Sequence, residues 1–382
     1  MGTRSPWSAI PVVARGKYSE IAPAANPRWA LAARGACALQ SEGFEGIVIS
    51  SAMDSRRRAA WAVRLLIVVS FGFWSVPSWA VEGATAAGPI GGSDIRSAIL
   101  PPPGFYAGAV ALYNSVTQFH DGTGHPAPAL NDFGLTNYVG GAFFLYVPDL
   151  KLFGGRVGLA GYEVAAQDCG QLVAAVQHRC VAGLGDPYIE ASWSRSFGQI
   201  RPASVPGAFP IIQGLVLDLG VGAVLPIGNY NEQSQALNGV TPGNKTFDIA
   251  PSVAVTYTTP PLIADGTEFS AKLYWDNYLK NPNTQYYASS LLDVDFAVTE
   301  HIGRFQVGPA GFYVFQTGMD RQNGIVVPPD GRRLEYMAVG GVINYDMAEY
   351  NAAIKFKANA TVFSQNGVVA KLFVISFAKK FF

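Results

Sequence analysis

The side chains that could do chemistry in this chain are few and far apart. Its four histidines are His120, His125, His178 and His301, and none stands in a Gly-x-Ser-x-Gly turn or a His-Glu-x-x-His helix, so neither an activated serine nor a zinc-bound water is encoded locally. Asp121-Gly122-Thr123-Gly124 has the form of an aspartic-protease loop, but that chemistry needs two carboxylates sharing a proton, and the sequence has no second copy. Asp293 and Asp295 stand two apart, which on a strand puts both on one face. They read as charges facing Lys272 or Lys355 rather than as an acid–base pair. Cys169 and Cys180 occupy a polar stretch without zinc-type spacing around them, and in an exported protein such a pair predicts a loop disulfide. The expectation is no catalytic residue, no metal and no cofactor.

Export itself is written near the N-terminus. Arg56, Arg57, Arg58 and Arg64 form a positive region, 65–74 is a short apolar run, and Ser78-Trp79-Ala80 is a small-x-small cleavage site. These features predict a signal peptide cleaved after Ala80. Signal peptides start a chain, so Met53 is the expected translation start, 53–80 the leader and 1–52 a non-native extension. Residues 1–80 hold nine of the 27 basic and four of the 27 acidic residues, which leaves 18 basic against 23 acidic, a net of −5, beyond Ala80. No basic stripe remains for nucleic acid.

The elements that must position everything else are strands. The chain is 49% hydrophobic and only 14% charged, with 42 glycines, yet past Ala80 nothing approaches the run of about 20 apolar residues that a spanning helix needs. Apolar and polar side chains instead alternate. Over 350–362, Ala352, Ile354, Phe356 and Ala358 share one face, while Lys355, Lys357 and Asn359 share the other. In the same way Phe269, Leu273 and Trp275 oppose Glu268, Lys272 and Asp276, and Leu292, Val294 and Phe296 oppose Asp293 and Asp295. Period 2 over such lengths predicts an all-β, transmembrane, antiparallel up-and-down barrel whose strands show apolar groups to lipid and polar groups to the lumen.

Twelve strands are expected, near 104–116, 135–147, 154–164, 184–196, 211–225, 246–258, 267–278, 286–298, 304–317, 333–344, 350–362 and 368–381, the tenth ambiguous as to which face points outward. Connections after odd strands should be long and extracellular and the others short, with the Pro-rich stretch 197–210 too long for its place. Glu268, Lys272, Asp293, Asp295, Lys355 and Lys357 are the candidate lumen-lining charges. The Pro/Gly segment 88–104, within the N-terminal piece 81–103 that precedes the barrel of 104–382, reads equally as a lumen plug or as a periplasmic tail.

The chain ends Phe373-Val374-Ile375-Ser376-Phe377-Ala378-Lys379-Lys380-Phe381-Phe382, which resembles the C-terminal strand that outer-membrane insertion machinery reads, although Phe382 falls out of register with Phe373, Ile375, Phe377 and Phe381. Gly185-Asp186-Pro187-Tyr188, Leu225-Pro226-Ile227-Gly228-Asn229-Tyr230, Asp248-Ile249-Ala250-Pro251 and Asn281-Pro282-Asn283-Thr284-Gln285-Tyr286-Tyr287 resemble segments of the outer-membrane family named for the meta-cleavage pathway of phenol degradation; Phe247 replaces a Trp often found ahead of the third. The resemblance spans about 100–382. It implies a barrel in the outer membrane of a Gram-negative bacterium that takes up small hydrophobic, phenol-like compounds, with the lipid bilayer and such a solute as partners. The rival readings are an enzyme embedded in the barrel wall and a structural barrel with a closed lumen. N-terminal sequencing of the mature protein is expected to begin at Val81, and a precursor containing residues before Met53 would overturn the assigned start.

Overall fold

A computed structural model of the protein describes residues 92–127, 134–172 and 177–382. The N-terminal extension, the leader and its cleavage site lie outside these residues. From Gly104 onward the alternating sequence forms twelve long strands: β1 (Gly104–Phe119), β2 (Gly134–Val147), β3 (Gly155–Gln171), β4 (Tyr188–Ser196), β5 (Ile211–Val224), β6 (Asp248–Thr258), β7 (Thr267–Tyr278), β8 (Leu291–Ile302), β9 (Phe305–Gln316), β10 (Glu335–Met347), β11 (Ala352–Gln365) and β12 (Val368–Lys380). Sequence neighbours pair antiparallel throughout. β12 pairs back onto β1 from Tyr106↔Lys380 to Phe119↔Val368, so the sheet closes and no edge is left unpaired. Closure is what lets strands cross hydrocarbon, where an unpaired backbone group has no water to turn to.

The two faces follow the period. On β7, Glu268, Ser270, Lys272, Tyr274, Asp276 and Tyr278 are buried inside while Phe269 and Trp275 are exposed outside. β6 alternates without a break, presenting Ile249, Val253, Val255 and Tyr257 outward. A continuous apolar exterior of this kind fits acyl chains rather than water. The ambiguous strand, β10, turns Val342, Asn344 and Asp346 inward and leaves Ile343 exposed on the outside.

Three local departures from alternation have visible causes. The fourth strand starts at Tyr188 rather than 184, because Asp186 turns aside to accept from the backbone N–H groups of Gly228 (2.8 Å) and Asn244 (2.7 Å), and Pro187 has no N–H to offer. Residues Arg179–Leu184 pair separately with the outer half of β3. The eighth strand starts at Leu291 rather than 286, since Tyr286–Tyr287 join a small three-stranded sheet in the loops, where the Tyr286 hydroxyl donates to Asp320 (2.6 Å).

The third departure is the stretch 197–210. After Gln199–Arg201 pairs with β5, the loop runs from β5 to the foot of β10. Arg304 Nε donates to Pro206 O (2.8 Å), Ala348 N to Gly207 O (2.9 Å) and Phe209 N to Asp346 Oδ2 (3.2 Å). β5 and β10 lie nearly opposite one another around the ring, so this loop forms a chord across the short-turn mouth, and the chord explains its length. Gly207 sits at φ +81° with the Arg304 guanidinium where a Cβ would stand, so a side chain there would be excluded twice over.

Val253→Arg on the outer face of β6 is expected to cost about 2–4 kcal/mol in urea unfolding from phospholipid vesicles. A loss below about 0.5 kcal/mol, as on a water-facing surface, would contradict the membrane exterior.

Candidate functional site

The lumen contains chain of its own. Residues 92–103 run from the start of β1 back up the inside of the barrel to mid-height. Ser93 N donates to Asp295 Oδ2 (2.7 Å), Arg96 N to Glu268 Oε1 (2.7 Å) and Ala98 N to Thr256 Oγ1 (3.1 Å), so three backbone donors of the segment are met by side chains of the wall. The Ser93 and Tyr274 hydroxyls are 2.7 Å apart. Asp94 is fully buried between Lys355 (3.0 Å) and Lys357 (3.1 Å), and Arg96 reaches Asp346 at 3.2 Å. Ile95 packs towards Ala297, Ala310 and Val342, while Ala98 and Ile99 pack towards Val216 and Ala254 on the facing side. The segment thus touches both sides of the lower lumen.

All six candidate lumen charges lie on the inner face. Asp293, Asp295, Glu268, Lys272 and Lys357 are buried, and Lys355 is half-buried. The ion pairs of the three lysines reach beyond the neighbouring strand. Lys272 stands directly across from Asp295 in the β7–β8 register, yet its ammonium binds Glu190 at 2.7 Å, and Lys355 and Lys357 serve Asp94. Glu268 meets His301 Nε2 at 3.2 Å. The sequence reading missed Asp94, Arg96, Glu190 and Asp346. Glu190 and Asp346 occupy inward positions that alternation could have marked; Asp94 and Arg96 belong to a segment with no period.

The wall opposite this polar packing is different in kind. Along β1, β2 and β12 the inward positions include Val110, Leu112, Val139, Phe143, Leu372 and Val374, all only half-buried. Their outward neighbours Tyr113, Tyr138 and Phe373 confirm the alternation by lying exposed in one cross-strand row. An apolar strip therefore faces open lumen beside the N-terminal segment. Towards the long loops it meets a second apolar group, Leu372 packing against the buried cluster to which Leu291, Phe312 and Val314 belong.

The histidines do not assemble a nucleophile. At the long-loop rim the Thr123 hydroxyl donates to Asp121 (2.7 Å), and the single proton is then spent, so His125 Nδ1 at 3.0 Å must donate to it rather than deprotonate it. Hydrogen bonds from Thr123 hold the exposed Asp121 carboxyl below its usual pKa. His120 Nδ1 faces the Ser364 carbonyl (3.2 Å), His178 is exposed, and His301 is committed to Glu268. Among the described residues no three His, Cys, Asp or Glu side chains converge as a metal site. Cys169 and Cys180 are joined by a disulfide between β3 and its flanking hairpin. At the opposite end the Ser204 hydroxyl and Gly303 N–H hold the Asp265 carboxyl below its usual range.

The fold has counterparts among solved structures. An outer membrane channel from Pseudomonas putida F1 superposes with a TM-score of 0.59 at 14% identity, covering 75% of this chain and 99% of that one. The β domain of a Bordetella autotransporter, at TM-score 0.39 and 13% identity over 73% of this chain and 99% of its own, is only distantly alike. No curated protein matches the sequence. The family described as "Putative MetA-pathway of phenol degradation" matches residues 117–377, from the end of β1 nearly to the end of β12, and the chain belongs to that family.

Proposed function

We propose that this protein is an outer-membrane channel through which small hydrophobic, phenol-like solutes pass without chemical change, the stretch 92–103 acting as a plug in the periplasmic half of its lumen. One observation carries the reading: a half-buried apolar strip on β1, β2 and β12 forms part of the inner face, while β7, β8 and β11 carry the side chains that hold the plug. A passage with one greasy wall lowers the cost of moving an aromatic ring, which a water-filled pore lined by charges does not. The family's association with phenol degradation and the channel from Pseudomonas putida support the same reading. A leader cleaved at Ala80 would deliver the chain to the periplasm, from which its C-terminal strand would be taken up by the insertion machinery.

Proteoliposomes are expected to pass benzyl alcohol at least about tenfold faster than glucose, relative to protein-free vesicles, since a difference of about 1.4 kcal/mol between the two solutes suffices. Equal rates would indicate an ordinary aqueous pore, and no flux of either a barrel sealed by its own side chains. The plug is tested separately. Asp94→Asn leaves two lysines beside a neutral amide, and breaking a buried pair in this way costs about 3–5 kcal/mol. Thiol labelling of Ser93→Cys should therefore accelerate by about 100-fold or more when Asp94→Asn is added. Unchanged labelling would show that the ion pair does not hold the segment.

A further inference from the structure

Above the tip of the N-terminal segment the lumen changes sign. Asp168, Asp248, Asp276 and Asp293 point into the half nearer the long loops, and among the described residues the twelve strands place no lysine or arginine on the inner face there. The inward cations Lys272, Lys355 and Lys357 sit lower and are engaged by Glu190 and Asp94. Asp168 and Asp248 accept hydrogen bonds, from Asn137 Nδ2 (2.7 Å) and Asn277 N (2.7 Å), but no salt bridge reaches either. Asp293 goes further: it is 1% exposed, and its Oδ1 has no hydrogen-bond partner although it is aimed among these carboxylates. A buried acceptor left unmet is costly, and a ligand that supplies positive charge or a donor relieves the cost.

In the same half of the lumen Phe312 and Val314 are buried and Leu372, half-buried, packs against their cluster. Resting on the channel reading above, we propose that this half of the lumen is a vestibule that admits small apolar solutes bearing a positive charge or, less strongly, an N–H or O–H donor, and turns away aromatic carboxylates. The ring of such a solute lies on the apolar strip and its charged or donor edge on the aspartates. One sign of charge between low-dielectric walls concentrates the field in the gap, so a carboxylate approaching it is repelled before it reaches the plug.

The test compares three solutes of similar size in proteoliposomes carrying the mature chain: benzyltrimethylammonium, benzyl alcohol and benzoate. The cation is expected to exceed benzoate by about tenfold or more, and reversal potentials in a KCl gradient should report the same preference for potassium over chloride. Asp248→Asn combined with Asp293→Asn should cut that ratio at least about threefold, while continued passage of benzyl alcohol shows the variant to be folded and open. Benzoate passing as fast as the cation, or a ratio unmoved in the double variant, would overturn the vestibule and leave the channel standing. Failure of all three solutes to pass would instead remove the channel reading, and this inference with it.

Discussion

Hydrocarbon offers no partner to a peptide N–H or C=O, and the closing of β1 onto β12 is what makes every other feature of this protein possible. The seam is reinforced beyond the ladder. Phe105 N donates to Phe382 O (3.0 Å), Phe381 N donates to Phe105 O (2.8 Å), and the Lys380 ammonium donates to Pro103 O (2.7 Å). Phe382 lies past the end of β12, is exposed, and its ring stacks at 5.6 Å on Phe105, whose ring also lies against the exterior Phe144 and Phe381. The terminal aromatic that breaks register thus belongs to the end of the seam. Once the seam is shut, each strand has one wet side and one greasy side, and period 2 becomes a map of the interior.

That map accounts for what could be read from the residues. Alternation puts Glu268, Lys272 and Asp276 on one side of β7 because their neighbours Phe269 and Trp275 suit lipid, and no knowledge of the partner strand is needed. It cannot say which inward charges meet, since that depends on distances across a closed ring. Lys272, across from Asp295 in register, also reaches Glu190, 82 residues away. The chord 197–210 and the segment 92–103 were opaque for a related reason: both are held by long-range contacts with Asp346, Arg304 or Asp295, and neither has a repeat of its own. Where Asp186 leaves the strand to cap two loop backbones, the local pattern gave way to a tertiary contact.

The way the segment is held differs from the way the barrel is held. Ser93, Arg96 and Ala98 give their backbone N–H groups to side chains, as a bound peptide does in a receptor, and add no rung to any ladder. Departure of the segment would therefore unpair no strand. The chord is anchored on Arg304, Ala348 and Asp346, and it shares the Asp346 carboxylate with Arg96 of the segment.

The segment is the first part of the described chain to be synthesised, yet its seats are Thr256, Glu268, Asp295, Asp346, Lys355 and Lys357, spread over β6 to β11. Those seats do not exist until the last third of the polypeptide has been threaded into the bilayer. Biogenesis must then pass through a moment when the ring is complete, or nearly so, and its centre is still vacant. The full set of contacts that holds the segment therefore forms only after β11 has joined the sheet.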